Sequence, residues 1–156
     1  MSSVEAIPTN YPRVTPYLSI DGAAAAIDFY RDILGASLRG DVMKSPDGKV
    51  GHAELEIGGS VIMMSDTFPE MGAPSPKALG GSAVTLMVYV EDVDDVFARA
   101  IKAGASEIAP VADQFYGDRS GQFEDPWGHR WNVATHVEDV PPDEMEKRAI
   151  AAMGGG

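Results

Sequence analysis

A chain of 156 residues with 24 acidic and 12 basic side chains carries a formal net charge of -12, a balance that repels phosphate backbones and argues against nucleic acid as a partner. Hydrophobic residues at 44% and charged residues at 23% are ordinary for a globular domain with a real core, and no apolar run is long enough to span a bilayer. The lack of cysteine excludes disulfides, zinc–thiolate sites and thiol nucleophiles, and the opening MSSVEAIPTNYP has no basic region followed by an apolar core, so the cytoplasm is the expected location.

Residues 1–12 are polar, contain two prolines and show no periodicity, which reads as a loose arm. Residues 13–20 alternate, with Val14, Pro16, Leu18 and Ile20 on an apolar face and Thr15, Tyr17 and Ser19 opposite. Pro16 suits an edge strand or a bulge. Asp21 is placed to cap a helix whose stripe is Ala23, Ala26, Ile27, Tyr30 and Leu34, and Gly35 ends it. Strands are then expected over 37–44, 50–57 and 60–66, joined by a Ser45-Pro46-Asp47-Gly48 turn and a Gly58-Gly59 hairpin. The stretch TFPEMGAPSPKALGG is rich in Pro and Gly and reads as a linker or lid.

The pattern then restarts. Residues 83–90 alternate, with Val84, Leu86, Val88 and Val90 apolar and Thr85, Met87 and Tyr89 opposite. Glu91-Asp92 stands at a cap position, Val93, Val96, Phe97, Ala100 and Ile101 form a helix stripe, and Gly104 stops it. A strand is expected over 108–115. A hairpin follows, turning at Asp125-Pro126-Trp127-Gly128, with Trp131, Val133 and Thr135 on its packing face and Arg130, Asn132, Ala134 and His136 opposite. Thr15 falls on Thr85 and Asp21 on Glu91; after a one-residue slip, Gly35 falls on Gly104 and Gly59 on Gly128. Agreement of cap, stripe, stop and hairpin implies a duplicated strand–helix–strand–strand–strand unit. The expected boundaries are 11–66 for the first module, 67–82 for the linker, 83–138 for the second module and 139–156 for a C-terminal helix and tail. That helix, over PPDEMEKRAIAAM, is either a frayed end or a surface packed on a partner subunit.

Paired βαβββ modules, the IDFYRDILGA helix and the DPWGH hairpin resemble the vicinal oxygen chelate superfamily, which includes glyoxalase I, extradiol dioxygenases, fosfomycin-resistance enzymes and bleomycin-resistance proteins. GHAELEIGGSVIMMSD, YGDRSG and DPWGHRW resemble most its PhnB-like, glyoxalase/bleomycin-resistance branch. The resemblance implies an α+β fold in which each module curls its sheet into a half-open trough under an outer helix, two modules enclose a cavity, and subunits pair as a homodimer. It implies metal-ligand positions at Thr15, Met63, Thr85 and Asn132. A thioether, two hydroxyls and an amide are poor ligands for a divalent ion, so no cofactor is expected at the superfamily's usual metal site.

Other groups could carry chemistry. His52, Glu54 and Glu56 alternate on one face of a strand, as a chelating set or as ordinary solvated residues. His52 and Glu54 are the candidate catalytic pair, and His129 and His136 are further candidate ligands. Arg119 reads either as a clamp for a ligand carboxylate or as a brace against Asp125 or Glu124. Phe115, Tyr116, Trp127 and Trp131 could wall an apolar pocket, with Met63, Met64, Met71 and Met87 as an adaptable lining or as core filler. The expected ligand-binding residues are Thr15, Tyr17, Met63, Thr85, Met87, Tyr89, Arg119 and Asn132. Two functions follow. One is a protein that binds or sequesters a small, cationic molecule in its trough. The other is a lyase, isomerase or dioxygenase-type enzyme working around His52, Glu54 and Glu56.

Overall fold

The computed structural model describes residues 3–154; the first two residues of the expected arm and the last two of the expected tail lie outside them. The chain divides into two compact units, Met1–Gly80 and Gly81–Gly156, each a mixed α+β assembly with its own sheet and helix. Among the described residues no helix is long and apolar enough to cross a membrane.

In the first unit, β1 (Tyr17–Ile20) leads to α1 (Ala23–Leu34), then β2 (Ser37–Leu38), β3 (Met43–Lys44), β4 (Val50–Ile57) and β5 (Ser60–Asp66). The strand order is β1-β5-β4-β2, with β3 also paired to β4. β1 lies parallel to β5, with Tyr17 opposite Met63 and Leu18 opposite Met64. β4 and β5 form the hairpin, with Glu54 opposite Met63 and Leu55 opposite Ile62. The row Leu18–Met64–Ala53 is buried under α1, whose buried face is Ala23, Ala26, Ile27, Phe29, Tyr30, Ile33 and Leu34. That is the expected stripe widened by two residues. The alternate row, Tyr17–Met63–Glu54, therefore lies on the opposite, open face.

Several local expectations are corrected here. β1 starts only at Tyr17, and Val14 is 85% exposed rather than tucked under the helix. Pro16 has no N–H for the ladder; its carbonyl accepts from the Met63 N–H at 2.9 Å and closes the sheet edge. Asp21 does not cap α1. The N-cap is Gly22 in a left-handed conformation, and Asp66 Oδ1 at the far end of β5 accepts from Gly22 N and Ala23 N, both at 3.1 Å. Its other oxygen, Oδ2, accepts from Val50 N at 2.7 Å. The single strand expected over 37–44 is two short pieces, because Gly40 takes a positive φ between them. The Gly58-Gly59 hairpin forms, with Gly58 rather than Gly59 at positive φ. The arm is not loose near residue 11: the Arg39 guanidinium lies 4.5 Å from the Tyr11 ring centroid and its Nη2 donates to the Asn10 carbonyl. Residues 67–80 group with this unit. Phe68 bridges to Ala73 around a 3₁₀ turn at Pro69–Met71, and Ser19 Oγ donates to the Ala73 carbonyl at 3.0 Å.

The second unit runs β6 (Thr85–Tyr89), α2 (Val93–Lys102), β7 (Ser106–Asp113), β8 (Asp118–Glu124), β9 (Arg130–His136) and α3 (Pro142–Ala152). Its order, β6-β9-β8-β7, repeats the first unit's plan, again with the first strand parallel to the last. Asp92 caps α2 as expected, its side chain accepting from Asp95 N at 3.2 Å. Thr135 Oγ1 accepts from Val93 N and donates to the Val90 carbonyl, both at 2.9 Å. Val93, Val96, Phe97 and Ala100 are buried, over Phe123, Trp131 and Val133. A Cβ on Gly121 would lie 2.9 Å from the Phe97 ring, so the helix needs a bare backbone there. Val84 falls outside β6 and is 62% exposed, contrary to the expected apolar face. The Asp125–Gly128 turn forms with Gly128 at φ 95, its N–H donating to the Asp125 carbonyl. Arg148 ties α3 down, reaching Glu138, Glu144 and the Phe115 carbonyl.

Candidate functional site

The alternation of β4 puts His52 and Glu54 on the open face of the first unit, and β1 brings Tyr17 beside them. Three hydrogen bonds link four side chains in a row. Tyr17 Oη lies 2.9 Å from His52 Nδ1, His52 Nε2 lies 2.8 Å from Glu54 Oε2, and Tyr11 Oη donates to Glu54 Oε1 at 2.7 Å. The bond from His52, and then that from Tyr11, hold the Glu54 carboxyl below its ordinary value, while Glu54 pushes the Tyr11 phenol up. An ionised Glu54 only accepts, so Nε2 carries the proton; in a neutral imidazole Nδ1 then accepts from Tyr17. Glu56, expected beside them, is exposed and opposite Ser37 and Val61. No group of three or more His, Cys, Asp or Glu side chains is gathered for a metal ion among the described residues, so His52, Glu54 and Glu56 do not form a three-ligand set.

The second unit holds a different network, which the sequence reading did not single out. Asp118 opens β8 and is 3% exposed. Its Oδ2 accepts from Tyr89 Oη at 2.8 Å, and its Oδ1 lies 2.8 Å from His136 Nδ1. His136 Nε2 lies 2.7 Å from Asp139 Oδ1. With a carboxylate at each ring nitrogen, the imidazole is pushed up from its ordinary value, by Asp118 and then by Asp139. Asp118 likewise raises the Tyr89 phenol, which keeps its proton and donates it inward. The hairpin register carried the signal: a loop centred on Trp127, closed by Asp125 opposite His129, sets Asp118 opposite His136.

The remaining candidates separate. Tyr17, Met87 and Tyr89 stand on open faces at 53%, 49% and 59% exposure. Thr85 is exposed on the same side, and Met63 is half-buried. Thr15 precedes β1, outside the ladder. Asn132 sits opposite Met87 on one side and Gln122 on the other, and its Oδ1 is shielded from solvent with no hydrogen-bond partner among the described residues. Such an acceptor costs about 1–3 kcal/mol while it stays unmet.

Arg119 is neither an open clamp nor a brace on Asp125 or Glu124. Its guanidinium grips Asp94 of α2 through two bonds of 2.9 Å and reaches Asp113 at 3.2 Å. Asp125 instead organises its own turn, accepting from Trp127 N, His129 N and Trp131 Nε1, each at 3.0 Å. Trp131 and Met64 are core, Trp127 is half-buried, and Met71 is exposed on the 3₁₀ turn. Phe115 and Tyr116 pack edge to face at 5.2 Å. His129 is buried at the turn, at the opposite end of β9 from His136.

The comparisons agree with this architecture. The family model of the Glyoxalase/Bleomycin resistance protein/Dioxygenase superfamily matches residues 13–133. An uncharacterised protein of Mycobacterium bovis is 43% identical over 148 residues, covering 93% of this chain and 96% of its own. A solved structure of a Pseudomonas aeruginosa protein shares 25% identity at a TM-score of 0.64, covering 81% of this chain and 99% of its own. A PhnB protein from Bacillus cereus shares the fold at 19% identity and a TM-score of 0.62, over 80% of this chain and 99% of its own. With the family model running from ahead of β1 into β9, the chain belongs to the glyoxalase/bleomycin resistance protein/dioxygenase superfamily.

Proposed function

We propose that the chain binds a small, cationic molecule against the open face of a sheet and holds no metal ion at Thr15, Met63, Thr85 and Asn132. The observation that carries this reading is the exposure of Tyr17, Met87 and Tyr89 on such faces. The net charge of -12 favours a cation. The four inherited ligand positions supply two hydroxyls, a thioether and an amide. None is charged, and a divalent ion needs imidazole or carboxylate donors to offset its own charge. Thermal-shift screening against cationic aromatic compounds is expected to raise the melting temperature by several degrees for at least one class. A flat screen sinks the reading. Elemental analysis of protein purified without chelator is expected to find metal far below one ion per chain.

A second reading is a lyase, isomerase or dioxygenase-type enzyme centred on His52 and Glu54. The row Tyr17–His52–Glu54 supports it, because a carboxylate-oriented imidazole beside an exposed phenol can move a proton. Imidazole nitrogen resonances test it. His52 is expected in the Nε2–H form, and Glu54→Gln is expected to mix the tautomers. A mixed population in the unsubstituted protein removes the basis for this reading.

For assembly and place, we propose a homodimer in the cytoplasm. A monomeric mass by light scattering would rule out the dimer.

A further inference from the structure

We propose that the open face of the second unit is a site for an N–H-donating cation of amidinium or ammonium type, met by Tyr89 Oη and Asn132 Oδ1. The inference rests on the small-molecule reading above and goes beyond it in naming the atoms and the ligand chemistry. Two independent observations lead to it.

The first is the direction of the Tyr89 hydroxyl. The Tyr89 hydroxyl donates to Asp118 Oδ2 at 2.8 Å, and the other Asp118 oxygen, Oδ1, is taken up by His136 Nδ1 at 2.8 Å. The exposed side of the phenol oxygen therefore has lone pairs to offer and no proton. The second is Asn132. Its Oδ1 accepts nothing among the described residues, although backbone and side-chain acceptors in such places are nearly always met. Asn132 is itself partly exposed, on the face it shares with Met87.

The two groups are neighbours by register. Met87 and Tyr89 alternate on β6, Asn132 and Ala134 on β9, and the pairs stand opposite each other. The patch thus presents two acceptors, the Tyr89 ring and the Met87 thioether, with the fully buried Ala134 opposite Tyr89. An amidinium on a flat apolar body suits it, giving N–H to the oxygens and its face to the ring. Arg130 lies further along the same face, with Glu124 directly opposite it across the hairpin.

Benzamidine and benzoate are a matched pair of probes, equal in shape and opposite in charge and hydrogen-bond sense. In NMR titration of the whole chain at neutral pH, benzamidine is expected to shift the Met87 methyl and bind at least tenfold more tightly than benzoate. Tyr89→Phe and Asn132→Leu are each expected to weaken benzamidine by about tenfold, with the folded spectrum retained. Tyr89→Phe keeps the ring, so its loss reads the oxygen alone. Equal binding of benzoate, or benzamidine binding unchanged in both variants, overturns the acceptor assignment. If the broader screen finds ligands and benzamidine leaves Met87 undisturbed, the acceptor site is overturned while the binding reading stands.

Discussion

Asp66 and Thr135 do the same task in the two units. Each stands at the C-terminal end of its unit's last strand and reaches back to the first N–H groups of that unit's helix. The duplicated plan thus conserves a position and a hydrogen-bond role while changing the side chain. Asp66 also holds the start of β4, so it satisfies three donors where Thr135 satisfies one. Asp66→Ala is expected to cost about 2–4 kcal/mol and Thr135→Val about 1–2 kcal/mol. Urea denaturation of the two variants checks both magnitudes and their order.

Asp125 is the second point of concentrated bonding. Its carboxylate joins two backbone N–H groups of the turn to the indole of the buried Trp131. Asp125→Ala leaves all three without this partner and is expected to destabilise by about 2–4 kcal/mol. Tryptophan fluorescence, with its maximum moved to the red before the main unfolding transition, would report a loosened hairpin. An unchanged midpoint and spectrum would contradict the assignment.

Glu54 predicts an acid limb. Its folded carboxyl lies below the ordinary value of 4.5 because His52 and Tyr11 donate to it. The stabilisation is therefore present above the unfolded value and is lost as pH falls through the folded one. Glu54→Gln is expected to flatten part of the stability loss below about pH 4.5. Denaturation midpoints between neutral and acid pH, compared for the two proteins, measure it.

His136 predicts the opposite limb. Two carboxylates raise its folded value above the ordinary 6.5. Its contribution is complete below the unfolded value and is lost as pH rises through the folded one. His136→Gln is expected to remove that decline on the neutral-to-alkaline side while leaving acid behaviour alone. The ring is half exposed, so solvent screening keeps the effect small.

Arg119→Gln separates a brace from a clamp. With Asp94 and Asp113 as partners at an exposed site, the loss of stability is expected to be small, with any ligand-induced thermal shift unchanged. A shift abolished by this variant would restore the clamp.

What could be read in the sequence was what is local. The helix stripes, Gly35, the Asp92 cap and the Asp125–Gly128 turn each depend on residues a few positions apart, and the structure keeps them. The cap on α1 was misassigned to Asp21 because the true acceptor, Asp66, arrives from the other end of the unit. Strand alternation placed Tyr17, Met87 and Tyr89 on open faces, and it failed at Val14 and Val84 because those residues precede their strands and have no ladder to orient them. Within the site, the His52–Glu54 pairing follows from spacing on one strand. The partner of Arg119 does not, because Asp94 belongs to a helix whose docking no local pattern specifies.

The parallel pairing of each unit's opening strand with its closing one has a consequence for the order of assembly. On a ribosome, residues 17–20 emerge long before 60–66, and they have no edge to join until that later segment appears. The same wait recurs for 85–89 and 130–136. Because each wait ends inside its own half, the entropic toll of ring closure is set by half-length loops, and the earlier half can complete its sheet while the later one is still being synthesised.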